Sequence, residues 1–503
     1  MTNLGKKHPN ASESHPLDVE GQESVVGDQA MPADAEESVP GSTDPESPIT
    51  EGVVVPSACY LRVIRGGRDR ITVRPPIVCS ALHQAQDPEG HALLEALAGA
   101  RELGLYVTGL PGTGKSTTLL HLVLDDMHAG RGCAVIDPHG DLINEILARS
   151  PADGRTAERV LLFDPADTEW PIPLNILEET SERAQDLAVQ FMIDLYEALF
   201  LRDQQGPVLH QSLRNGIRLA MQTRGSLAEV PLLFADRDFL QSCLRECTDP
   251  WVRHYFANVW LKMSDSSRGE YLAYFTSKLS GFFDDRILRN ILGQRGGMAL
   301  GPFLEGGGIL LANLARGAIG DLNARLLGML LLHLLERATL ERHARPPEGR
   351  PPLHIYIDEF HEFATRSLID FLGAARKFNV GLTLAHQRLE MLHPAIREAV
   401  LGTVGHALLF RQGSAEASEL AALLWPRFGG RELVRLPNFQ AVGRAIGPEG
   451  RIRVGRLRIP LPGRGNPESG VRIREASRRQ FGRPRAEVER ALLDRLGWNK
   501  REG

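Results

Sequence analysis

A glycine-rich turn set between an apolar run and a helical run constrains the fold of this chain more than any other feature. The residues LGLYVT lead into GLPGTGKST, and the helical stretch TLLHLVLDDM follows. The turn fits G-x-x-x-x-G-K-[ST] between a strand and a helix, so that backbone N–H groups and the helix N-terminus can surround phosphate groups. It predicts that Lys115 reaches the β and γ phosphates of a nucleotide and that Ser116 binds Mg²⁺. The residues expected to hold the nucleotide are Gly109, Leu110, Pro111, Gly112, Thr113, Gly114, Lys115, Ser116 and Thr117.

Short apolar runs alternate with longer helical segments along the chain. They are LGLYVTGL, CAVIDP, RVLLFDP, GILLANL, LHIYIDEF, VGLTLAH and HALLFRQG. Strands that alternate with helices form parallel sheets covered on both faces, which explains why these runs are almost continuously apolar. The pattern predicts an α/β fold with a doubly wound parallel sheet.

The helical pattern becomes continuous between about residues 180 and 295. Apolar residues there recur at the period of an amphipathic helix. The recurring positions are Leu187, Phe191, Leu195, Leu199, Trp251, Tyr255, Phe256, Val259 and Trp260. The segment is predicted to be an all-helical insertion in the α/β domain, with the Trp and Tyr side chains in its core rather than in a ligand site.

The net charge of −5 conceals opposite charges in two parts of the sequence. Residues 1–52 carry two Lys against eleven Asp or Glu and are nearly free of aromatic groups, which predicts a disordered acidic arm. Residues 427–503 carry nineteen basic residues against eight acidic ones. That excess is typical either of a solvated charged face or of a surface that binds a polyanion.

These patterns divide the chain into six segments. Two short strands around a Gly-Gly turn precede the main domain, and Arg-rich strands with a final helix follow it. The expected boundaries are 1–52 for the acidic arm, 53–95 for a small β element and linker, 96–179 for the first part of the α/β core, 180–300 for the all-α insertion, 301–447 for the second part of the core, and 448–503 for the basic C-terminal strands and helix.

The run PPLHIYIDEF ends in two acids at the point where a buried strand would emerge from the sheet. Ligands of α/β sheets bind at the carboxyl ends of the strands, so both acids are expected beside the phosphate-binding turn. Asp358 is predicted to hold Mg²⁺ through water, and Glu359 to orient or deprotonate the water that attacks the nucleotide. The alternative is that the two acids cap the next helix.

The stretch GAARKFNVGLTLAHQ places an Arg-Lys pair before an apolar strand that ends in His and Gln. This strand is expected beside the acidic one, which brings His386 and Gln387 near the γ phosphate. Gln387 is then a candidate sensor of hydrolysis, and an amide that only caps the strand is the alternative. Arg376, at the opposite end, could cap its helix or act as an arginine finger on the nucleotide of a neighbouring subunit.

Several stretches carry a family resemblance in their order and spacing. They are VIDPHGDL, PLNIL, LANLARGAIGDLNARLLG, YIDEFHEFAT, ARKFNVGLTLAHQ and IREASRRQFGRPRAEVE. Together they resemble the hexameric DNA-pumping ATPases of the HerA/FtsK class, and within it the TraG/TraD-like conjugative coupling proteins of type IV secretion. The resemblance implies a RecA-like P-loop NTPase core, ATP and Mg²⁺ as cofactors, DNA as a partner, and a homo-oligomer that is a hexamer in that family. It also implies that Arg376 is the trans arginine finger and Gln387 the sensor.

Some expectations stay open at this point. Asp137, in the turn DPHGD, is expected either to sit beside the nucleotide or to form the turn itself.

Membrane-bound coupling proteins carry N-terminal transmembrane helices, where this sequence has an acidic arm and a β element. The scattered cysteines and the lack of a spanning apolar run indicate the cytoplasm, with recruitment to a membrane by partners such as a relaxase or secretion proteins. The alternatives to a DNA pump are a HerA-type DNA-processing or defence ATPase and an AAA+ protein remodeller.

Overall fold

The computed structural model describes residues 88–151, 153–178, 182–199, 207–269, 272 and 284–498. All of them belong to one compact unit. The acidic arm expected at residues 1–52 and the small β element expected after it lie outside the described residues. Within the described ranges, no helix combines the length and the apolar composition needed to cross a bilayer.

A nine-stranded sheet forms the centre of the fold. Its strands are β1 (Leu105–Thr108), β2 (Gly132–Asp137), β3 (Val160–Phe163), β4 (Ile309–Asn313), β5 (Leu353–Ile357), β6 (Val380–His386), β7 (His406–Leu409), β8 (Gln440–Ile446) and β9 (Ile452–Arg458). They lie in the order β3-β4-β2-β5-β6-β1-β7-β8-β9. The first seven strands in this order pair in parallel, whereas β8 and β9 form an antiparallel hairpin beside β7. The predicted α/β fold with a parallel sheet is confirmed.

Helices connect the strands and cover the sheet. In chain order they are α1 (Pro88–Gly99), α2 (Lys115–His128), α3 (Asp141–Arg149), α4 (Gly154–Glu158), α5 (Glu182–Leu199), α6 (Pro207–Gln222), α7 (Val230–Ala235), α8 (Arg237–Glu246), α9 (Pro250–Tyr255), α10 (Arg286–Leu292), α11 (Leu300–Glu305), α12 (Arg316–Ile319), α13 (Asp321–Glu341), α14 (Ser367–Ala375), α15 (Pro394–Thr403), α16 (Ser414–Leu420), α17 (Gly430–Arg435), α18 (Pro467–Phe481) and α19 (Arg485–Leu496).

Successive residues of the parallel strands enter two different hydrophobic cores. In β1, Tyr106 belongs to one core and Val107 to the other, and in β2, Ile136 and Val135 divide in the same way. Side chains alternate across a strand, so two cores require apolar residues at every position. The strands are therefore almost unbroken apolar runs in the sequence. Polar side chains follow where each strand leaves the sheet, at its carboxyl end.

Helices α5 to α11 lie between β3 and β4 in the sequence. Tyr255, Phe256 and Trp260 are buried among them. The rings of Phe234 and Trp260 meet edge to face, with 5.0 Å between centroids, a favoured geometry for aromatic pairs. These aromatic side chains therefore contribute to packing, as their spacing predicts.

The aromatic stripe is not buried along its whole length. Trp251 is 79% exposed, so the expectation that it lies in the core is wrong. Asp249 caps α9 by accepting the N–H of Trp251, which places Trp251 in the first turn, ahead of the residues that pack. Leu187 and Val259 are also exposed. Periodicity identifies the stripe but does not indicate where along the helix packing begins.

A buried carboxylate, Asp126 of α2, fastens this helix to the sheet. Arg101 and Arg131 each donate to its Oδ1 atom at 2.7 Å. His354 and Tyr356, two residues apart on β5, bond to its Oδ2 atom at 2.9 and 2.5 Å. Burial alone would raise the pKa of Asp126, but the charge of Arg101 and the hydrogen bond from His354 hold it well below its usual range. Asp126 is therefore ionised in the folded protein.

An Asp126→Asn substitution should lower the free energy of unfolding at pH 7 by about 3–5 kcal/mol, because it leaves two guanidinium groups without their shared counter-charge. A carboxylate whose folded pKa is depressed stabilises the fold fully above its unfolded pKa of about 4, and this contribution is lost as the pH falls through the folded value. Urea unfolding of the wild type and the variant at pH 7 and at lower pH would measure both effects.

The adjacent acid provides the control for this prediction. Burial raises the pKa of Asp125 to about 7, against the opposing charge of Arg101. An uncharged side chain is therefore tolerated at position 125, and Asp125→Asn should cost little stability at pH 7. Equal losses in the two variants would contradict the charge argument for Asp126.

Candidate nucleotide site

The phosphate-binding turn, residues 109–117, joins β1 to α2 and includes the first residues of the helix. Gly112 and Gly114 have φ values of +71° and +120°, where glycine is strongly favoured. A Cβ atom on Gly114 would lie 3.0 Å from the ring of Phe410 and 3.3 Å from Phe439. The turn is thus shaped by its glycines and packed against the segments that follow β7 and precede β8.

Lys115 is buried, and its ammonium group folds over the turn. Its Nζ atom donates to the carbonyl oxygens of Gly109 at 2.7 Å and Leu110 at 3.2 Å. Burial lowers the pKa of Lys115, against the opposing charges of Glu359 and Asp358. A buried ammonium held by backbone carbonyl oxygens can exchange these bonds for phosphate oxygens, which carry more negative charge.

Asp358 and Glu359 follow β5 directly, at the carboxyl edge of the sheet. The Oγ atom of Ser116 donates to Oδ2 of Asp358 at 3.3 Å, so the two residues expected at Mg²⁺ face each other. Burial, with the negative charges of Asp137 and Glu359 nearby, raises the pKa of Asp358 to about 7. A cation beside Asp358 would offset this repulsion.

Glu359 is buried and has a left-handed backbone, with φ 45° and ψ 47°. This conformation costs a non-glycine residue roughly 1–3 kcal/mol and is found mostly at functional sites. The Nε2 atom of Gln387 donates to Oε1 of Glu359 at 2.6 Å. Oε2 has no hydrogen bond within the described part of the chain, and Nδ1 of His361 lies 3.5 Å from it. One carboxylate oxygen is therefore fixed while the other is available.

Gln387 reaches Glu359 because β6 lies between the two strands that carry the motifs. β6 pairs with β5 on one side and with β1 on the other. His386, expected near the γ phosphate, bonds instead through Nε2 to the hydroxyl of Tyr106 at 2.5 Å. Burial lowers the pKa of His386 to about 3, so its ring is neutral. Gln387 is the polar side chain at this strand end that contacts the acidic pair.

Arg376 lies at the opposite end of β6, in the 3₁₀ turn Arg376–Phe378. Seven strand residues separate the two ends by about 20 Å, so Arg376 is remote from the turn of its own chain. Its guanidinium group forms no hydrogen bond or ion pair with any residue that the structure describes. It borders a cavity of about 720 Å³ with Trp425 and Arg444. Arg376 is also the C-terminal capping residue of α14, so its position fits the helix-capping alternative as well.

Asp137, the last residue of β2, uses both carboxylate oxygens within the chain. Oδ1 accepts the N–H of His139 at 2.8 Å, and Oδ2 accepts that of Ile143 at 3.1 Å. Gly140 follows with a φ of +85°, which completes the turn into α3. This is the geometry of the turn-forming alternative, although Asp137 is near enough to raise the pKa of Asp358.

Sequence reasoning assigned no role to Arg316, which lies between β4 and α13. Its Nη1 atom donates to Oε1 of Glu362 at 2.8 Å, and its Nη2 atom lies 3.4 Å from Nε2 of His139. These contacts join the segments after β4, β5 and β2. The only sequence signal was the stretch LANLARGAIGDLNARLLG, because the partners of Arg316 are remote in the chain.

The donor set fits Mg²⁺ better than a metal held by protein alone. Among the residues described, no group of three or more His, Cys, Asp or Glu side chains is placed to hold a metal ion. Mg²⁺ commonly takes one or two protein oxygens and completes its shell with phosphates and water. Ser116 and Asp358 present oxygen atoms of this kind beside the turn.

Comparison with known proteins identifies the fold. No protein-family model and no curated protein sequence matches the chain. Among solved structures, the bacterial conjugative coupling protein TrwBdeltaN70 matches with a TM-score of 0.53 and 16% identity, over 73% of this chain and 87% of that chain. The chain has the TrwB fold. The RecA-like fold that the resemblance implies is therefore confirmed.

Structures of TrwB with bound nucleotides match equally well. TrwB in complex with ADP and Mg²⁺ has a TM-score of 0.53 and 16% identity, over 74% of this chain and 88% of that chain. TrwB in complex with the non-hydrolysable ATP analogue ADPNP has a TM-score of 0.52 and 15% identity, over 73% and 87%. At this level of identity the TrwB likeness describes the fold, and the site has to be argued from its own residues.

Proposed function

We propose that this protein is an ATPase that couples ATP hydrolysis to the movement of DNA. The observation that carries the ATPase assignment is the convergence of Ser116, Asp358, Glu359 and Gln387 at the ends of three adjacent strands and the turn between them. A nucleotide binder without turnover has little need of a buried carboxylate held by an amide beside the phosphate-binding turn. The nucleotide complexes of TrwB support the choice of ATP and Mg²⁺ as ligands.

Each residue has a distinct part in binding. The turn and Lys115 hold the phosphates, and Ser116 and Asp358 hold Mg²⁺, Asp358 through water. When bound, Mg²⁺ neutralises charge on the β and γ phosphates. Burial and the neighbouring acids raise the pKa of Asp358, so a cation beside this carboxyl group would stabilise its ionised form. Phosphate binding and neutralisation of the phosphate charge are thereby assigned to the turn, Lys115, Ser116 and Asp358.

The hydrolytic step is assigned to Glu359. Its free Oε2 atom would accept a proton from the attacking water or orient that water toward the γ phosphate, while Gln387 fixes Oε1. Gln387 can donate to a carboxylate and also meet a phosphate oxygen, so loss of the γ phosphate would change its contacts. We assign it the role of sensor on this basis.

The DNA and assembly assignments rest on the resemblance of the motifs and on the TrwB fold. The proposed assembly is a homo-oligomer, a hexamer, in which Arg376 of one subunit reaches the nucleotide of the next. The guanidinium group of Arg376, which has no partner among the described residues and lies at the far end of β6, supports that arrangement. The proposed setting is cytoplasmic DNA transfer, with a relaxase or secretion proteins as partners.

DNA should raise the ATPase rate severalfold, and this stimulation should weaken as salt rises, because contacts to phosphates release counterions. A coupled ATPase assay with single-stranded and double-stranded DNA at roughly 50 and 200 mM salt would measure it. Lys115→Ala, which removes the phosphate-binding ammonium group, serves as the inactive control. An ATPase rate that ignores every form of DNA would remove the DNA assignment and leave the ATPase assignment standing.

A further inference from the structure

Two groups of arginines stand out among the basic residues of the 427–503 region that the structure describes. One group is neutralised within the chain by acids of the core, the insertion or the same element. Its pairs are Arg427–Glu89, Arg453–Glu449, Arg472–Glu468, Arg474–Asp164, Arg478–Asp167, Arg485–Glu169 and Arg495–Glu229. Apart from Arg453 and Arg472, whose partners lie in their own hairpin and helix, these arginines fasten the C-terminal strands and helices to the rest of the fold. They account for part of the basic excess without any ligand.

A second group lies at or beside one cavity. Arg431 and Arg435 are exposed on α17, and Arg456 and Arg458 are exposed on β9. None of the four forms an ion pair with a residue in the described part of the chain. Arg431, Arg435 and Arg456 border an open cavity of about 270 Å³, which we call the arginine cavity.

The acid beside these arginines forms no ion pair with any residue that the structure describes, and one negative charge does not balance three positive ones. Glu432 also borders the arginine cavity, but its Oε2 atom accepts the N–H of Gly429 at 2.6 Å and so closes the first turn of α17. Arg456 instead lies over the ring of Phe428, with 5.9 Å from its guanidinium carbon to the ring centroid. Like charges gathered around a concave surface repel one another, and an anion placed among them would offset that repulsion.

Protection of a sheet edge is the simpler explanation for arginines on β9. β9 is the last strand of the sheet, and charged side chains on such strands prevent pairing with other chains. That explanation does not account for Arg431 and Arg435, which belong to a helix. An arginine that protects the edge can also be paired with an acid, as Arg453 is with Glu449 on the same hairpin. Edge protection therefore does not explain why Arg456 and Arg458 have no acidic partner among the described residues.

One residue, Phe439, connects the two segments that carry the arginines to the phosphate-binding turn. The N–H of Phe439 donates to the carbonyl oxygen of Thr113 at 2.7 Å, and its own carbonyl oxygen accepts the N–H of Ile459 at 2.8 Å. Phe439 also has a φ of +60°, which is uncommon for a bulky residue. The segment after Arg435 and the strand end after Arg458 therefore meet at a residue bonded to the nucleotide turn.

We propose that the arginine cavity binds the phosphodiester backbone of a nucleic acid and transmits this contact to the nucleotide turn through Phe439. Arg431 and Arg435 are one helical turn apart, about 5–6 Å between Cβ atoms, and Arg456 and Arg458 are about 7 Å apart along the strand. Four guanidinium groups spread over two elements suit a chain of phosphates better than one compact anion, and each can form paired hydrogen bonds with a phosphate. This inference rests on the proposed function and assigns to it a surface for DNA.

The test compares an Arg435→Ala/Arg456→Ala double variant with the wild type in full-length protein. Binding of fluorescently labelled DNA is measured by anisotropy over a range of KCl concentrations. Removal of two phosphate contacts should lower the slope of log affinity against log salt by about two and weaken binding of all sequences alike. Arg453→Ala is the matched control, because it removes the same charge from β9 where Glu449 already neutralises it, and its slope should be unchanged.

Further measurements separate the possible outcomes. An Arg435→Lys/Arg456→Lys variant should keep most of the salt slope. Thermal unfolding shows whether each variant is folded, and the lysine variant replaces the alanine variant if the latter does not fold. An unchanged slope in the double alanine variant overturns the inference. The inference is also overturned if the double alanine variant binds a fluorescent ATP analogue more weakly while its affinity for DNA is unchanged. The arginine cavity would then belong to the nucleotide site. Failure of the wild type to bind DNA overturns the DNA part of the proposed function itself.

Discussion

A Glu359→Gln variant should bind ATP like the wild type and lose turnover by roughly 10²–10⁴-fold, the contribution typical of a positioned general base. Gln occupies nearly the same volume as Glu, and its amide oxygen can still accept the hydrogen bond from Gln387. The left-handed turn at residue 359 and the contact between Ser116 and Asp358 should therefore survive. What is lost is the basic oxygen, so binding and chemistry separate in this variant.

Two measurements test this expectation. Equilibrium binding of a fluorescent ATP analogue reports on the phosphate site, and steady-state phosphate release reports on turnover. Glu390→Gln is a suitable control, because Glu390 is an exposed acid near the same edge of the sheet, three residues beyond Gln387. Unchanged turnover in Glu359→Gln would exclude Glu359 from the catalytic groups, and lost ATP binding would indicate damage to the turn instead.

The motif strands could be predicted from the sequence because their signals are local. The turn that contains Lys115 needs a defined spacing of glycines, and the strand that ends at Asp358 is apolar until it leaves the sheet. The apolar run of β6 predicts a strand beside β5, and the register confirms that pairing. Its pairing with β1 on the other side was not predicted. The hydrogen bond between Gln387 and Glu359 could be anticipated only as proximity.

Contacts between residues that are remote in the sequence could not be predicted in the same way. Nothing near Asp126 in the sequence indicates that Tyr356, 230 residues later, bonds to it. Arg474 likewise pairs with Asp164 at a separation of 310 residues. Composition gives the total charge of the C-terminal region, but only the fold decides which arginines are neutralised. The exposure of Trp251 has a related cause, since a period of 3.6 residues says nothing about where the partner surface ends.

An Arg376→Ala variant should lose turnover by roughly 10³–10⁵-fold while binding ATP, the effect expected when an arginine finger is removed. If the finger acts on a neighbour, the variant keeps an intact site and lacks only the group that its neighbour supplies. A Lys115→Ala subunit has the reverse defect, because its own nucleotide site fails while its Arg376 is intact. Mixing the two inactive proteins should therefore restore part of the activity.

The extent of rescue follows from ring geometry. In a closed head-to-tail assembly mixed at equal amounts, about one interface in four joins a sound nucleotide site to an intact arginine. Lys377→Ala is the matched control, because Lys377 is the adjacent cation and its Nζ atom lies 5.9 Å from the ring centroid of Phe378 in its own chain. It should retain most of its activity alone. Absence of rescue in particles shown to contain both subunits would place the role of Arg376 within its own chain, at the end of α14, and the idea of shared sites would then have to be abandoned.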